Sequence, residues 1–112
     1  MRNKTQRMAE CIVKAVDEKK GLDVLIIDLE GISPMADYFI VATGQTDRHV
    51  KAIIDGVKKV AATEGLRLYS LEGEKTNCWV LMDYGELVVH VFQPEYRAYY
   101  QLESLWADAT PF

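Results

Sequence analysis

Cysteine is scarce in this sequence: Cys11 and Cys78 are the only two, and they have no CxxC spacing. That excludes a disulfide framework and points to a reducing, cytoplasmic compartment. No charged start, apolar middle and small-residue cleavage site marks a signal peptide, and the apolar runs fall far short of the ~20 residues a membrane span needs. Imidazole is as scarce, with His49 and His90 on different elements and no Cys or Asp at zinc-ligand spacing around either. Basic residues are outnumbered, thirteen against seventeen acidic, for a formal net charge of -4. A phosphate backbone would repel such a domain and a basic protein would attract it, so no direct nucleic-acid grip is expected. A P-loop, a dinucleotide fingerprint and a GxSxG elbow are all missing, and Ser33, Ser70 and Ser104 have no base at motif spacing. Repeats, low-complexity tracts and linkers are absent too.

What is present is an ordinary globular composition, 49% hydrophobic and 27% charged, in 112 residues. That length suits a single domain over residues 1–112 that buries a core without metal or disulfides. Met8, Ile12, Ala15, Val16 and Lys19 fall at helical spacing, which predicts an amphipathic helix over 5–20 with Gly21 at its stop. "DVLIIDL" (23–29) and "DYFIVATG" (37–44) are β-branched and aromatic runs, nearly all apolar, as strands buried on both faces require. The "EGISPMA" between them is a loop punctuated by Gly31 and Pro34.

The next helix is the clearest in the chain. Val50, Ile53, Ile54, Val57, Val60 and Ala61 share one face, Lys51, Asp55, Lys58 and Lys59 the other, with Thr46 as cap and Gly65 as stop. "LRLYSLEG" (66–73) follows as a third strand, so strand, helix and strand predict a right-handed crossover between parallel strands. "NCWVLMDYGELVVHVF" (77–92) supplies strands four and five. After Pro94, "EYRAYYQLESLWADA" closes the chain as an aromatic-rich helix. The fold class is α/β (α+β), one mixed five-stranded sheet flanked by helices.

A two-residue loop at Tyr84 and Gly85 would set Asp83 opposite Glu86, Leu81 opposite Val88 and Trp79 opposite His90. Side chains alternate in a strand, so Cys78, Val80, Met82, Leu87, Val89 and Val91 form a core face. The other face carries Trp79, Leu81, Asp83, Glu86, Val88, His90 and Phe92, an apolar patch that ends in carboxylates. An aromatic anchor with apolar neighbours and an acidic rim describes a binding surface. The alternative is that a helix of the same domain covers Trp79. Glu72 and Glu74 add to the acidic rim, which would match Arg or Lys on a partner. The sequence does not show whether His90, opposite Trp79, tunes binding with pH near neutrality.

Asp28 and Glu30, two apart at a strand end, are the best candidates for holding a divalent cation. Metal-dependent nucleotide transfer also needs a glycine-rich phosphate loop and a third carboxylate, and the segment before Asp28 offers neither. Arg48 and His49, in the first turn of the central helix, could meet an anion or simply face solvent. No metal, cofactor or small-molecule substrate is indicated, and the chain reads as a non-enzyme. In the last helix Tyr96, Tyr99, Tyr100 and Trp106 mix with Leu102 and Leu105, more than one apolar stripe can hold, which predicts self-association.

Several motifs in fixed order resemble the Iojap-like ribosomal silencing factors. They are "DYFIVATG" (37–44), "RHV" (48–50), "EGE" (72–74), Trp79, "DYGELVVHVF" (83–92) and "YRAYYQLESLWADA" (96–109). Two departures are small: Glu86 stands where the family usually has Asp, and Leu87 where it often has Val. The resemblance implies a nucleotidyltransferase-like fold without catalytic residues. It implies a cytoplasmic, often homodimeric factor that binds the large ribosomal subunit through ribosomal protein L fourteen. Occupying that face would keep the small subunit from joining and repress translation, chiefly when nutrients are short. The family's partner-binding aromatic maps onto Trp79, with Leu81 beside it, Asp83 and Tyr84 at the turn, and Glu86, Val88 and His90 completing the surface. Two rivals differ in kind. A metal-dependent nucleotidyltransferase would need Asp28, Glu30 and Asp37 to hold one metal, and a self-assembling adaptor would dimerise without touching the ribosome.

Overall fold

A computed structural model describes residues 4–29, 36–95 and 110–111. Its elements are α1 (Lys4–Glu18), β1 (Leu22–Asp28), β2 (Tyr38–Thr43), α2 (Asp47–Thr63), β3 (Ser70–Glu72), β4 (Trp79–Asp83), β5 (Leu87–Phe92) and β6 (Thr110–Pro111). The strands form one mixed sheet in the order β3-β4-β5-β2-β1-β6. Among the described strands only β2 and β5 pair in parallel, from Tyr38 beside Leu87 to Thr43 beside Phe92. The five expected strands are present. The sixth, the two residues Thr110 and Pro111 against Asp28 and Ile27, was not expected.

β4 is antiparallel to both β5 and β3, so β3 runs in the same direction as β2, as the crossover requires. The two are not neighbours, however, because β4 and β5 lie between them. β3 is also shorter than its apolar pattern suggested. β4 ends at Asp83, opposite Ser70; the Tyr69 N–H still donates to the Asp83 carbonyl at 2.8 Å, and residues 66–68 have no further strand to pair with. Leu66 and Leu68 still pack on the core, while Tyr69 is 62% exposed.

α2 follows its sequence closely. Thr46 has extended geometry and its hydroxyl accepts the His49 N–H at 3.1 Å, filling one of the four donors a helix start leaves open. Val50, Ile53, Ile54, Val57 and Ala61 are buried on one stripe. At the end of α1 it is Lys20, not Gly21, that takes the left-handed conformation, with φ 61. Gly21 is needed for room: a Cβ there would lie 2.4 Å from the Val16 Cγ1.

Both helices pack on one face of the sheet. Ile12 and Val16 of α1 and Ile53, Ile54 and Val57 of α2 meet Ile40, Ala42, Val80, Met82, Val89 and Val91, all essentially without solvent contact. Each such valine, isoleucine or methionine side chain contributes about 1.5–3 kcal/mol by leaving water. This is the face that the alternation in β4 and β5 assigned to the core. Pro94 and Glu95 begin a helical turn after β5. The rest of the expected aromatic helix, 96–109, lies outside the described residues.

Candidate functional site: the sheet face around Trp79

The hairpin turns one residue later than its sequence suggested. Tyr84 N–H donates to the Leu87 carbonyl at 2.8 Å, so Tyr84 and Leu87 close the loop and Gly85 and Glu86 form it. A two-residue loop with glycine first needs a positive φ there, and Gly85 has φ 85. The Asp83 carboxylate accepts the Gly85 N–H at 2.8 Å and holds the turn. Trp79 therefore stands opposite Phe92, Leu81 opposite His90 and Asp83 opposite Val88, not the partners expected. Moving the turn by one residue slides the register by two, which leaves every side chain on its original face. The expected faces survive although the expected pairs do not.

Across from the helices, the strand order lays out a second apolar surface. Reading from the β3 edge, it carries Ser70 and Glu72, then Trp79, Leu81 and Asp83, then Val88, His90 and Phe92, then Phe39, Val41 and Thr43, and then Leu25 and Ile27. Ile27, Leu29, Val41 and Phe92 form a buried cluster here, with Leu25, Phe39 and Trp79 packed against it and no residue of either helix among them. Trp79, Leu81, Asp83 and Val88 are half-buried, as are Phe39 and Leu25 further across, so the β4 margin is one accessible part of this face. Phe39, Val41 and Ile27 were not singled out from the sequence. The alternation in "YFIVAT" would have put Phe39 and Val41 on one face, but nothing local says that β2 lies beside β5.

Trp79 is half-buried, and neither α1 nor α2 packs on it. Its ring stacks on Phe92 with centroids 5.0 Å apart and planes at 22°, and its indole N–H donates to Nδ1 of His90 at 3.1 Å. Its position is set from the β3–β4 connection. Gly73, at φ 90, passes so close to the Trp79 carbonyl that an added Cβ would lie 2.0 Å from the oxygen. Asn77, at φ 55, donates its N–H to the Gly73 carbonyl, and Gln93 N–H donates to the Cys78 carbonyl on the far side. His90 is 3% exposed. Loss of hydration lowers its pKa from 6.5 to about 4, so it is neutral near pH 7 and cannot switch there.

The candidate residues do not all come together. Trp79, Leu81, Asp83, Val88 and His90 share the face, but Tyr84 and Glu86 do not. Tyr84 continues the alternation of Val80 and Met82, so its ring enters the helix-side core, where burial pushes its phenol up to about 12. Glu86 accepts a hydrogen bond from the Thr5 hydroxyl of α1. Tyr84 and Glu86 line one small cavity with Thr5 and Met8, on the opposite side of the sheet from Trp79. The expected acidic rim is dispersed as well. Glu74 pairs with Lys58 of α2 at 2.8 Å, and the carboxylates left on the Trp79 face are Asp83 and Glu72, the latter opposite Leu81.

Elsewhere the candidates have structural roles. His49 accepts the Gln45 N–H at Nδ1, 2.9 Å, so its Nε2–H is the donor to the Lys19 carbonyl at 2.9 Å, tying the start of α2 to the end of α1. Arg48 is exposed and its N–H donates to Asp47. Asp28 ends β1 opposite Tyr38, Asp37 bonds through its backbone to Leu29 and Glu86, and Glu30 lies outside the described residues. Among the described residues, no three His, Cys, Asp or Glu side chains gather where they could hold a metal. No described helix is long and apolar enough to cross a membrane.

Comparison with known proteins adds a family to this geometry. Residues 2–111 match the family model described as "Ribosomal silencing factor during starvation". The chain is 44% identical over 104 residues to a ribosomal silencing factor of Halalkalibacterium halodurans, covering 93% of this chain and 89% of that protein. It is 45% identical over 95 residues to the ribosomal silencing factor of Bacillus subtilis, covering 85% and 80%. A crystal structure of a Chromobacterium violaceum protein superposes with a TM-score of 0.88 at 34% identity, covering 91% of this chain and 85% of that one. Because the match runs nearly end to end, in sequence and in fold, the chain belongs to the family of ribosomal silencing factors.

Proposed function

We propose that this protein docks on the large ribosomal subunit through ribosomal protein L fourteen and sterically prevents the small subunit from joining, repressing translation when nutrients are limited. The observation that carries the reading is the margin of the second sheet face. Trp79, Leu81 and Val88 form a half-buried apolar patch beside Asp83 and Glu72. Tryptophan is the residue type most enriched where binding energy concentrates, and apolar patches with a charged border are how proteins dock. The two carboxylates and the net charge of -4 suit a basic ribosomal protein better than RNA.

Five of the seven candidate contacts, Trp79, Leu81, Asp83, Val88 and His90, belong to this surface, His90 from beneath it. Tyr84 and Glu86 act at a distance from it. The mode of action needs no cofactor and no chemistry: a factor that binds only the free large subunit withdraws it from the joining equilibrium by mass action. We place the protein in the cytoplasm as a homodimer. Adding it to separated subunits and following joining by sedimentation tests the proposal. Joining should fall as the protein is titrated, with the protein travelling on the large subunit. Undiminished joining at saturating protein would refute it.

A further inference from the structure

His90 makes one hydrogen bond that fixes its chemistry. An indole N–H can only donate, so the Nδ1 that receives it must be bare, and the single ring proton of the neutral imidazole sits on Nε2. That Nε2 is the one buried side-chain nitrogen or oxygen among the described residues without a hydrogen-bond partner. Around the ring stand Phe39, 4.8 Å away between centroids, Phe92 at 6.2 Å, Leu81 opposite on β4 and Val41 beside it on β2. Every one of these neighbours is apolar. A leucine or phenylalanine would fill the place without stranding a donor, so the imidazole costs stability here. The one thing it supplies that an apolar residue could not is an acceptor for Trp79.

We propose that His90 is the positioning residue of the docking surface: by accepting the Trp79 N–H at Nδ1 it locks the indole against Phe92 and presents the partner with ring carbons only. The inference rests on the docking reading and deepens it. With its only polar atom turned inward, Trp79 is recognised by an aliphatic or flat side chain packed on the ring, not by an acceptor reaching for its N–H. Fixing the ring beforehand also removes a rotamer that docking would otherwise have to freeze.

Three substitutions separate the two ring nitrogens. His90→Asn places an amide oxygen near the position of Nδ1, His90→Gln places its amide near Nε2, and His90→Leu removes both. The readouts are affinity for large subunits and the solvent-exchange rate of the Trp79 indole proton by NMR, assigned by its loss in Trp79→Phe. Leu and Gln should lose about tenfold or more in affinity and exchange the indole proton faster, whereas Asn should stay within about threefold of wild type and keep exchange slow. Wild-type affinity and slow exchange in His90→Leu would overturn the proposal. So would rescue by Gln and not by Asn, which would make Nε2 the partner's own contact. If wild type fails to bind large subunits while the exchange pattern holds, the docking reading falls and the positioning of Trp79 by His90 stands.

Discussion

Acid should destabilise this domain through one side chain. In the folded protein His90 titrates at about 4 because burial penalises its charged form, against 6.5 for an exposed imidazole. Between those values the unfolded chain takes up a proton that the folded chain refuses, so stability rises with pH across the window. The contribution is fully present above pH 6.5 and is lost as the pH falls toward 4. At ~1.4 kcal/mol per pH unit the whole window amounts to about 3 kcal/mol, of which about 2 is gone by about pH 5. Against a typical domain stability of about 5–15 kcal/mol that is a large share. Protonation also fills Nδ1 and so removes the acceptor for Trp79, coupling the loss of stability to release of the indole. Urea midpoints of wild type and His90→Leu, measured from neutral pH down to about pH 5, isolate the effect, because the carboxylates titrate alike in both. Wild type should lose about 2 kcal/mol more than the variant. Parallel losses would show that His90 is hydrated in the folded state and refute the reasoning.

Four further substitutions probe the frame around the site. Gly73→Ala puts a Cβ 2.0 Å from the Trp79 carbonyl oxygen at a left-handed position, and should cost at least ~2 kcal/mol in urea unfolding while weakening large-subunit binding. Thr46→Ala removes the hydroxyl that caps α2, and thermal or urea unfolding should show a loss of ~1 kcal/mol with binding unchanged. Tyr84→Phe and Glu86→Ala lie across the sheet from Trp79, so cosedimentation should show affinities within about twofold of wild type. A large loss in either would extend the docking surface around the hairpin tip.

How much of this was legible beforehand depends on the range of the interaction. α2 was readable because everything that defines it is local: a threonine cap, an apolar stripe at helical spacing and a glycine after the last turn. The two faces of the β4–β5 hairpin were readable for the same reason, and the misplaced turn did no harm because an even shift of register preserves the faces. The register itself was not, since Tyr84-Gly85 and Gly85-Glu86 both offer a glycine for a two-residue loop. Tyr84, which the family resemblance puts at the turn of the docking surface, enters the helix-side core instead, because the alternation that buries Val80 and Met82 continues through it. Strand order lay beyond local signals. Without knowing that β2 sits beside β5, neither the Phe39–Val41 half of the second face nor the burial of His90 could be foreseen. The Trp79–His90 hydrogen bond depends on that same packing.

Docking as proposed depends on Trp79 as the anchor. Half-buried, stacked on Phe92 and hydrogen-bonded to His90, it contributes to folding as well, so Trp79→Ala should destabilise the domain by ~2–3 kcal/mol while leaving it folded. The decisive measurement is the affinity of purified large subunits for wild type and for Trp79→Ala, each confirmed folded by circular dichroism. An anchor of the kind proposed contributes at least ~2 kcal/mol to binding, so the variant should bind about 30-fold more weakly and fail to block subunit joining at concentrations where wild type does. Equal affinities would contradict the account and leave Trp79 a packing residue of the second sheet face.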